Sequence, residues 1–375
     1  MTTAVGRDAT AALRHEVRAW LAANPHPSGV QLAERGLVAP HWPVPWGLGA
    51  DAASQLAIDE ELGRAGVRRP INPIGIGWAG PTLLEGGTAA QQARWLPGIL
   101  SGAQLWCQLF SEPDAGSDLA SLRTRAVRDG DEWVVNGAKI WTSLAHVASF
   151  GILLARTDAD AEPHQGISYF VCPMDLDGIE VRPIVDMTGD HAFNEVFFDD
   201  VRIPADHLVG EVHRGWRLAK VTLGNERVSL SGEGALWGRG PTAAHLVERS
   251  RGHALSALQR DALVRVWSEG KVLSLLRDRL VAAALRGEPP GPEASVRKAL
   301  ADDHGQHVMG LAKDLAGTAG VLVGTGPFGQ GGQGGAEWSH GFLYAQALTI
   351  GGGTAAVQRN IVAERVLGLP RDPAP

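Results

Sequence analysis

The sequence predicts an α+β protein in which a β-rich middle part separates two helical parts. Apolar residues recur every three or four positions in the first third of the chain and again after residue 212, which is typical of amphipathic helices. Between these parts, runs rich in Val, Ile and Phe alternate with Gly, Pro and Asp, which is typical of antiparallel strands. The regular strand–helix alternation of a classical nucleotide-binding sheet does not occur, and no GxGxxG follows a strand-like run. We therefore expect three domains, at residues 1–104, 105–211 and 212–375.

The first domain is predicted to consist of helices. Asp8 can cap a helix whose apolar side chains fall on one face, and Asn24-Pro25 ends that helix. A second helix is predicted at 52–65. A short buried helix follows at 81–87 (PTLLEGG), where two glycines stop it.

The middle domain is predicted to be a small antiparallel barrel or sandwich. Residues 133–141 (WVVNGAKIW) carry Asn136-Gly137 between two β-rich flanks, and this dipeptide indicates a tight hairpin turn. Three further strand-like runs follow, at 149–158, 166–174 and 194–204.

The last domain is predicted to be helical again. Apolar residues at helical spacing predict four helices, at 213–232, 254–286, 292–323 and 354–367. The glycine-rich stretch 324–335 is predicted to be a connecting loop. It is not a phosphate-binding loop, because no strand precedes it and no Lys-Ser or Lys-Thr follows.

The composition argues against several classes of function. The formal net charge is −7 and the pI about 6.0, so there is no electrostatic case for binding nucleic acid or an anionic membrane. The two cysteines, Cys107 and Cys172, form no spaced framework, so neither a metal site nor a disulfide scaffold is expected, and a reducing cytoplasm is the default. No run of eighteen apolar residues occurs, and the first residues lack the pattern of a signal peptide.

Two motifs carry a family resemblance. Residues 108–118 read QLFSEPDAGSD, and residues 348–370 read LTIGGGTAAVQRNIVAERVLGLP. Together they resemble the acyl-CoA dehydrogenase family, flavoenzymes that desaturate acyl-CoA thioesters. The order of domains is similar to that family's N-terminal helical domain, middle β-domain and C-terminal four-helix bundle, so the resemblance covers nearly the whole chain. It implies a bound FAD, an acyl-CoA substrate, an electron-transfer flavoprotein as electron acceptor, and a homo- or hetero-oligomer.

The first motif suits a flavin by its residue types. A Pro-Asp-Ala-Gly-Ser turn can point backbone N–H groups at an anion, although such a turn can also be a plain connection between elements. The resemblance implies that the backbone of Phe110 and Ser111 contacts the flavin ring. It also implies that Gly116 and Ser117 contact the pyrophosphate, and that Ser117 reaches the CoA side.

Two other segments are implied to serve the flavin. By resemblance, Trp141 stacks against the flavin, Ser143 hydrogen-bonds the N5 edge of its ring, and Thr354 contacts its adenosine part. The alternative for Trp141 is a core tryptophan in a hairpin, since the chain has 12 tryptophans and most of them must be structural.

The catalytic base is implied to lie at an uncommon position. Desaturation requires a carboxylate beside the α-carbon and a polarised thioester carbonyl. In the commonest family pattern a Glu directly precedes the Gly-Thr of the second motif, but this chain has Gly352 there. A smaller set of members carries the base on an earlier helix before an Arg, which matches Glu226-Arg227. The resemblance thus implies that Glu226 removes the α-proton, that Arg227 faces the CoA side, and that Gly352 keeps the backbone N–H that polarises the carbonyl. The alternatives are an ordinary surface Glu and a salt-bridged Arg.

Two further hypotheses keep the fold and change the function. A catalytically silent subunit of a heteromeric enzyme would account for the glycine at 352, and a flavin oxidase or monooxygenase would use oxygen on the same scaffold. The Arg-x-x-Phe-Gly motif that contacts a neighbouring subunit's flavin in many members is missing from 256–270. Similar departures occur in members that act on bulky acyl-CoAs, including steroid side chains, some of them as heterotetramers. The acyl chain, and CoA versus acyl-carrier protein as its carrier, stay open from the sequence.

Overall fold

The computed structural model describes residues 4–230, 242–286, 291–318 and 335–371; the side chains of 4–9, 226–230, 284 and 335–337 lie outside this description. The predicted fold class is confirmed: helices, then a β-sheet, then helices follow one another along the chain. The chain divides into two compact units. The first unit comprises Met1–Asp186, Asp190–Asn225 and Leu285–Gly287, and the second comprises the remainder. The division into three domains stays a prediction.

The first third is helical, as predicted. Its helices are α1 (Ala4–Ala23), α2 (Gly29–Glu34), α3 (Ala52–Arg64), α4 (Gly80–Gly86) and α5 (Ala89–Ser101). The predictions of α3 and α4 are confirmed to within a residue or two. The cap predicted at Asp8 is wrong, because the chain is already helical from Ala4 and Asp8 therefore lies inside α1.

A π-helical turn, Gly75–Ala79, leads directly into α4. Gly80 begins α4 against the ring of Trp42, and a Cβ on Gly80 would lie 2.1 Å from that ring. Only glycine therefore allows this contact. Trp42, Trp78 and Leu83 belong to the buried core of the first unit.

The middle part is a single mixed sheet. Its strands are β1 (Trp106–Leu109), β2 (Arg125–Asp129), β3 (Glu132–Ser143), β4 (Phe150–Arg156), β5 (Ile167–Pro173), β6 (Ile179–Ile184), β7 (Phe193–Pro204) and β8 (Leu208–Val209). The strand order is β6-β7-β3-β2-β4-β5-β8, and β1 pairs with β4 off this path. Most pairs are antiparallel, but β1 and β2 both run parallel to β4. The strands predicted in the three later runs are confirmed as β4, β5 and β7.

The hairpin predicted at Asn136-Gly137 is wrong, because β3 runs straight through these residues. The turn lies earlier, between Asp129 and Glu132, which pair directly across β2 and β3. Gly137 instead marks a bulge in the pairing of β3 with β7, and a Cβ there would lie 2.7 Å from Thr124 Cα. The glycine thus permits a close approach of two backbones rather than a reversal of the chain.

The last third is helical. Its helices are α6 (Gly215–Leu230), α7 (Ala243–Ser250), α8 (Ala257–Leu285), α9 (Glu293–Ala316), α10 (Gly335–Tyr344) and α11 (Ala355–Ile361), the last continuing into a π-helical turn. Four of these were predicted, whereas α7 and α10 were not. The predicted loop 324–335 lies outside the described residues apart from Gly335, at which α10 begins. No helix in the described ranges is long and apolar enough to cross a membrane.

Candidate active site

The first motif and the end of β3 lie side by side. The backbone N–H of Ile140 donates to the carbonyl of Ser111 at 2.9 Å, which places Phe110 and Ser111 beside the segment that leads into Trp141. Phe110 is buried against the ring of Tyr169, with ring centroids 6.1 Å apart. Two of the segments predicted to serve the flavin are therefore neighbours in the first unit.

A buried ion pair fixes this arrangement. The Nζ of Lys139 on β3 donates to Glu112 Oε1 at 2.8 Å and to the carbonyl of Phe110 at 3.0 Å. The carboxylate of Glu112 also accepts from the backbone N–H groups of Arg123 and Thr124, at 2.7 and 2.9 Å. The carboxylate of Glu112 therefore links the two ends of the motif loop to each other and to β3.

The electrostatics of this pair follow from its burial. Burial lowers the pKa of Lys139 to about 8, although the carboxylate of Glu112 opposes the effect. Burial alone would raise the pKa of Glu112, but the ammonium of Lys139 and the surrounding donors together bring it below its usual value. Both groups are therefore charged at neutral pH.

The tip of the motif loop is open. Glu112 and Ala115 exchange two backbone hydrogen bonds, of 3.0 and 3.1 Å, and so close a tight turn. Gly116 and Ser117 follow this turn and are exposed. Apart from its chain neighbours, no atom of the described residues would lie within 4 Å of a Cβ placed on Gly116, so these residues leave space above it for a ligand.

Trp141 has an unusual backbone conformation. Its φ is 59°, in the left-handed region, at an irregularity in the pairing of β3 with β7. A bulky residue in this region costs about 1–2 kcal/mol, and such strain is often found at functional sites. The side chain is 58 % exposed and meets the ring of Phe193 edge-on at 6.0 Å. This placement does not fit a core tryptophan in a hairpin.

The two residues after Trp141 offer hydroxyl groups. Ser143 is half-buried and pairs with Phe193 on β7. Thr142 is 1 % exposed, and its Oγ1 has no partner among the described residues. Sequence reasoning gave Thr142 no role. Simple alternation from the buried Trp133, Val135 and Lys139 would place Thr142 on the other face, and only the irregularity between Lys139 and Thr142 brings it to the covered side, so the sequence offered no signal for it.

These observations fit a flavin. A flavin needs an apolar ring surface, hydrogen-bond donors at its heteroatoms and a place for its pyrophosphate. Trp141 supplies an exposed aromatic ring, Ser143 a hydroxyl, and the open turn at Gly116 and Ser117 supplies space and unblocked backbone.

Glu226 and Arg227 both lie on α6, but their side chains are outside the described part of the chain. The structure therefore confirms a helix at this position and leaves both roles as predictions. Thr222, one turn earlier on α6, is fully buried and hydrogen-bonded to hydroxyl groups of α4 and β5. Sequence reasoning missed this cluster, because its members are far apart in the chain.

The second motif forms a compact glycine turn in the second unit. Gly352 and Gly353 have φ values of 69° and 92°, which favour glycine. The buried side chain of Gln358 donates to the carbonyl of Gly352 at 2.9 Å. Thr354 caps α11, where its hydroxyl accepts from the N–H of Val357 at 3.3 Å. The hydroxyl thus has a structural use in addition to its predicted contact with the flavin.

A second buried ion pair supports the segment that leads into this turn. Lys298 on α9 donates to Asp302 and, at 2.9 Å, to the carbonyl of Leu348. Both charged side chains are almost fully buried. Burial raises the pKa of Asp302 to about 6, although the ammonium of Lys298 opposes the effect.

A groove of about 310 Å³ lies just after the first motif. Three arginines, Arg123, Arg125 and Arg156, line it together with small and apolar residues, and its described lining contains no carboxylate. Arg156 is occupied by backbone carbonyls, at distances from 2.6 to 3.2 Å. The side chains of Arg123 and Arg125 have no ion-pair partner within the ranges that the structure describes, so the groove is suited to an anion.

Three family models match the chain. They are "Acyl-CoA dehydrogenase, N-terminal domain" at residues 4–103, "Acyl-CoA dehydrogenase, middle domain" at 107–201 and "Acyl-CoA dehydrogenase, C-terminal domain" at 213–367. These matches follow one another without overlap and cover most of the chain.

Two mycobacterial proteins are similar in sequence. Acyl-CoA dehydrogenase FadE34 of Mycobacterium tuberculosis is 44% identical over 342 residues, which are 91% of this chain and 46% of FadE34. The chain thus spans about half the length of that relative. Acyl-CoA dehydrogenase IpdE1 of the same organism is 42% identical over 349 residues, which are 91% of this chain and 87% of IpdE1.

A solved structure is similar in fold. The protein described as Tcur3481-Tcur3483 steroid ACAD superposes with a TM-score of 0.77 and 30% identity, over 97% of this chain and 98% of that chain.

Proposed function

The chain belongs to the acyl-CoA dehydrogenase family, and from this premise we propose that it desaturates an acyl-CoA thioester between Cα and Cβ. The observation that carries the proposal is the strained and exposed Trp141 beside Ser111, at the place where the family resemblance predicts the flavin. Backbone strain that is retained at an exposed aromatic side chain is frequent at ligand-binding sites, and this supports the proposal.

FAD is the cofactor of this family, and when bound it supplies the acceptor for the hydride that leaves Cβ. Trp141, Ser143 and the backbone of Phe110 and Ser111 would hold its ring. Gly116 and Ser117 would hold its pyrophosphate, and Thr354 is proposed for its adenosine part. The buried pair of Glu112 and Lys139 fixes the first of these segments.

Glu226 is proposed as the base that removes the α-proton. The α-proton of a thioester is weakly acidic, so a carboxylate must lie beside it while the carbonyl is polarised. A base on α6 explains why position 352 can dispense with a carboxylate. Arg227, the next residue on the helix, is proposed to face the CoA side of the substrate.

Gly352 is proposed to polarise the thioester carbonyl through its backbone N–H. Its φ of 69° offers a physical reason for glycine at this position. A Glu at the same place would adopt a left-handed backbone at a cost of about 1–2 kcal/mol. A glycine keeps the donor and avoids that strain, provided that the base lies elsewhere.

The arginine groove supports a polyanionic carrier for the acyl group. The chain has a net charge of −7, so long-range attraction does not favour a CoA thioester, and recognition must be local. Arg123 and Arg125 line the groove downstream of Ser117, and their guanidinium groups have no ion-pair partner among the described residues. We assign them to the phosphates of CoA.

A bulky acyl group is the proposed substrate class, and an electron-transfer flavoprotein the proposed acceptor. The similarity to a structure described as a steroid ACAD supports the first proposal. An oligomer is proposed as well, because α8 exposes Val264, Trp267 and Leu275 along one side, and these are apolar side chains that water does not favour.

A catalytically silent subunit is the second candidate, and the specific observation in its favour is the missing carboxylate at position 352. The two candidates differ in their flavin chemistry. A silent subunit would leave its flavin oxidised with every thioester, whereas a dehydrogenase would reduce it.

The test is anaerobic reduction of the bound flavin by a panel of straight, branched and steroid acyl-CoAs, followed as loss of visible absorbance. We expect at least one bulky thioester to reduce the flavin. A purified protein that binds FAD but whose flavin no thioester reduces would support the silent subunit. Rapid reoxidation of the reduced flavin by oxygen with the product bound would point to an oxidase.

A further inference from the structure

Three buried hydroxyl groups form a cluster that joins α4, β5 and α6. The Oγ1 of Thr222 on α6 lies 2.8 Å from the Oγ1 of Thr82 on α4 and 3.1 Å from the hydroxyl of Tyr169 on β5. Thr82 donates to the carbonyl of Trp78 at 2.9 Å, and Thr222 to that of Leu218 at 3.2 Å. The three hydroxyl-bearing residues are completely buried.

Three hydroxyl protons are available for four contacts, and two of the contacts end on carbonyls, which only accept. When Thr82 and Thr222 donate to those carbonyls, the proton of Tyr169 is the one left for the contacts among the hydroxyl groups, and Thr222 accepts it. The 2.8 Å contact between Thr82 and Thr222 is then a close approach of two oxygens, and it becomes a hydrogen bond only when one threonine turns its proton away from its carbonyl. Burial raises the pKa of Tyr169 above its usual value, which keeps this donor protonated. Thr222 therefore lies at the centre of the cluster, because it accepts from Tyr169 on β5 and contacts Thr82 on α4.

The same two helices also meet one turn away. A Cβ on Gly86 of α4 would lie 2.6 Å from the side chain of Leu218 on α6. Thr82 and Gly86 are one turn apart on α4, and Leu218 and Thr222 are one turn apart on α6. The contacts Thr82–Thr222 and Gly86–Leu218 show that α4 and α6 run in opposite directions where they meet. Two contacts one turn apart fix both the position of α6 along its axis and its rotation about that axis.

Position 226 is the next position on the same face of α6. Residues four apart lie above one another on a helix, so position 226 follows position 222 along α6. The backbone N–H of residue 226 is also the helical partner of the carbonyl of residue 222. A shift of Thr222 is therefore passed directly to the turn that carries Glu226.

We propose that Thr222, held by Tyr169 and Thr82, is a positioning residue that fixes the turn of α6 bearing the base. The inference rests on the proposed function, in which Glu226 removes the α-proton. The positioning role of Thr222 would hold in place a base that lies away from the family's usual position. A displacement of about 1 Å at reacting groups can reduce a rate by roughly a hundredfold, so such a support has a measurable kinetic effect.

The test uses the FAD-loaded protein with the best thioester of the panel. Thr222→Val keeps the side-chain shape and removes the hydroxyl, Tyr169→Phe removes the donor alone, and Thr222→Ser keeps the hydroxyl. Ser250→Ala is the control, because Ser250 on α7 also bonds the carbonyl four residues earlier, at 2.8 Å. The measurements are the rate of flavin reduction at saturating substrate, the substrate concentration at half-saturation, and amide hydrogen exchange along α6.

We expect Thr222→Val to lower the saturating rate about 10- to 100-fold, with half-saturation and flavin content nearly unchanged and with faster exchange at residues 222–226. Tyr169→Phe should act in the same direction but less, whereas Thr222→Ser and Ser250→Ala should keep the wild-type rate. A wild-type rate in Thr222→Val together with lost stability would mean that the cluster is only structural, and would overturn the proposal. If Thr222→Val does not fold, Tyr169→Phe decides by the same criteria.

The failure of this proposal and that of the proposed function are distinguishable. A wild-type rate in Glu226→Gln would overturn the base assignment and the positioning role with it. A large loss in Glu226→Gln beside a full rate in Thr222→Val and Tyr169→Phe would overturn the positioning role alone.

Discussion

At the scale of single residues, strain and exposure distinguish Trp141, which is proposed to contact the flavin, from Lys139, which holds its neighbours. Trp141 is exposed and strained, whereas Lys139, two positions earlier on the same strand, is completely buried and makes two hydrogen bonds. The exposed and strained conformation of Trp141 lowers the stability of the fold unless a ligand covers the ring. The buried and hydrogen-bonded Lys139 stabilises the fold.

Trp141→Phe is therefore expected to leave the fold intact. The midpoint of thermal unfolding without FAD should stay within a few degrees of wild type, because the replaced ring is mostly exposed. The dissociation constant of FAD should rise, since a smaller ring covers less of the flavin. Differential scanning calorimetry and a flavin fluorescence titration measure the two effects. Loss of folding with unchanged flavin affinity in the remaining native protein would mean that Trp141 is structural.

Glu112→Gln is expected to destabilise the protein by about 3–5 kcal/mol, because it leaves the Lys139 ammonium buried without its counter-ion. Lys139→Met should act similarly, and the double variant should cost less than the sum of the two. Denaturant unfolding of the wild type, the two single variants and the double variant gives the interaction free energy between Glu112 and Lys139. Additive losses would show that the two residues stabilise the loop independently.

The same pair predicts a dependence on acid. The pKa of Glu112 lies below its usual value in the folded protein, so its contribution to stability is present above the unfolded pKa and is lost as the pH falls through the folded pKa. The decline of stability in acid should therefore be shallower in Glu112→Gln than in wild type.

At the scale of elements, the sequence predicted what depends on local pattern. The helices α3, α4, α6 and α8 and the strands β4, β5 and β7 follow from periodicity and from glycine or proline at their ends. The helices α2 and α5 were missed, although Ser28 with Gln31 and Thr88 with Gln91 form capping boxes that a search for this pattern would have found.

Other features depend on contacts between distant residues. Asn136-Gly137 reads locally as a turn, but the pairing of β3 with β7 makes it a bulge. The strand β2 was missed because its sequence, RAVRD, is mostly polar, and only its neighbours on both sides make it a strand. In the site, the motif residues were predictable from their own sequence. The pair of Glu112 and Lys139, 27 residues apart, and the cluster around Thr222 were not.

Lys298→Met is the prediction that belongs to an element, the segment that leads into the glycine turn. The substitution removes the donor to the carbonyl of Leu348 and leaves the carboxylate of Asp302 buried without its ammonium. We expect faster amide exchange at residues 345–353 and a saturating rate of flavin reduction lowered about tenfold, since Gly352 loses its support. Lys313→Met, on the same helix with its ammonium over the ring of Phe342, is the control. Unchanged exchange in Lys298→Met would mean that the turn is held by Gln358 alone.

At the scale of the whole molecule, an acidic protein is proposed to bind a polyanionic substrate. Local recognition resolves this conflict, because three arginines line the groove although the net charge of the chain is −7. Binding through a few charged contacts is sensitive to salt.

The double variant Arg123→Gln/Arg125→Gln should raise the half-saturating concentration of an acyl-CoA about 10- to 100-fold and weaken its dependence on salt, because two charge-assisted contacts are lost. The saturating rate should not change, and neither should the kinetics with the corresponding acyl-pantetheine, which lacks the nucleotide. Arg68→Gln, an exposed arginine outside the groove, is the control. Equal effects on acyl-CoA and acyl-pantetheine would exclude the groove as the site of the CoA phosphates.

The central claim is that the base has moved to α6, and one measurement tests it most directly. Glu226→Gln keeps the size of the side chain and removes the proton acceptor. We predict that this protein still binds FAD and the acyl-CoA, while the rate of anaerobic flavin reduction falls by about two to four orders of magnitude. Flavin reduction at the wild-type rate in Glu226→Gln would contradict the account, and the base would have to be sought at another carboxylate.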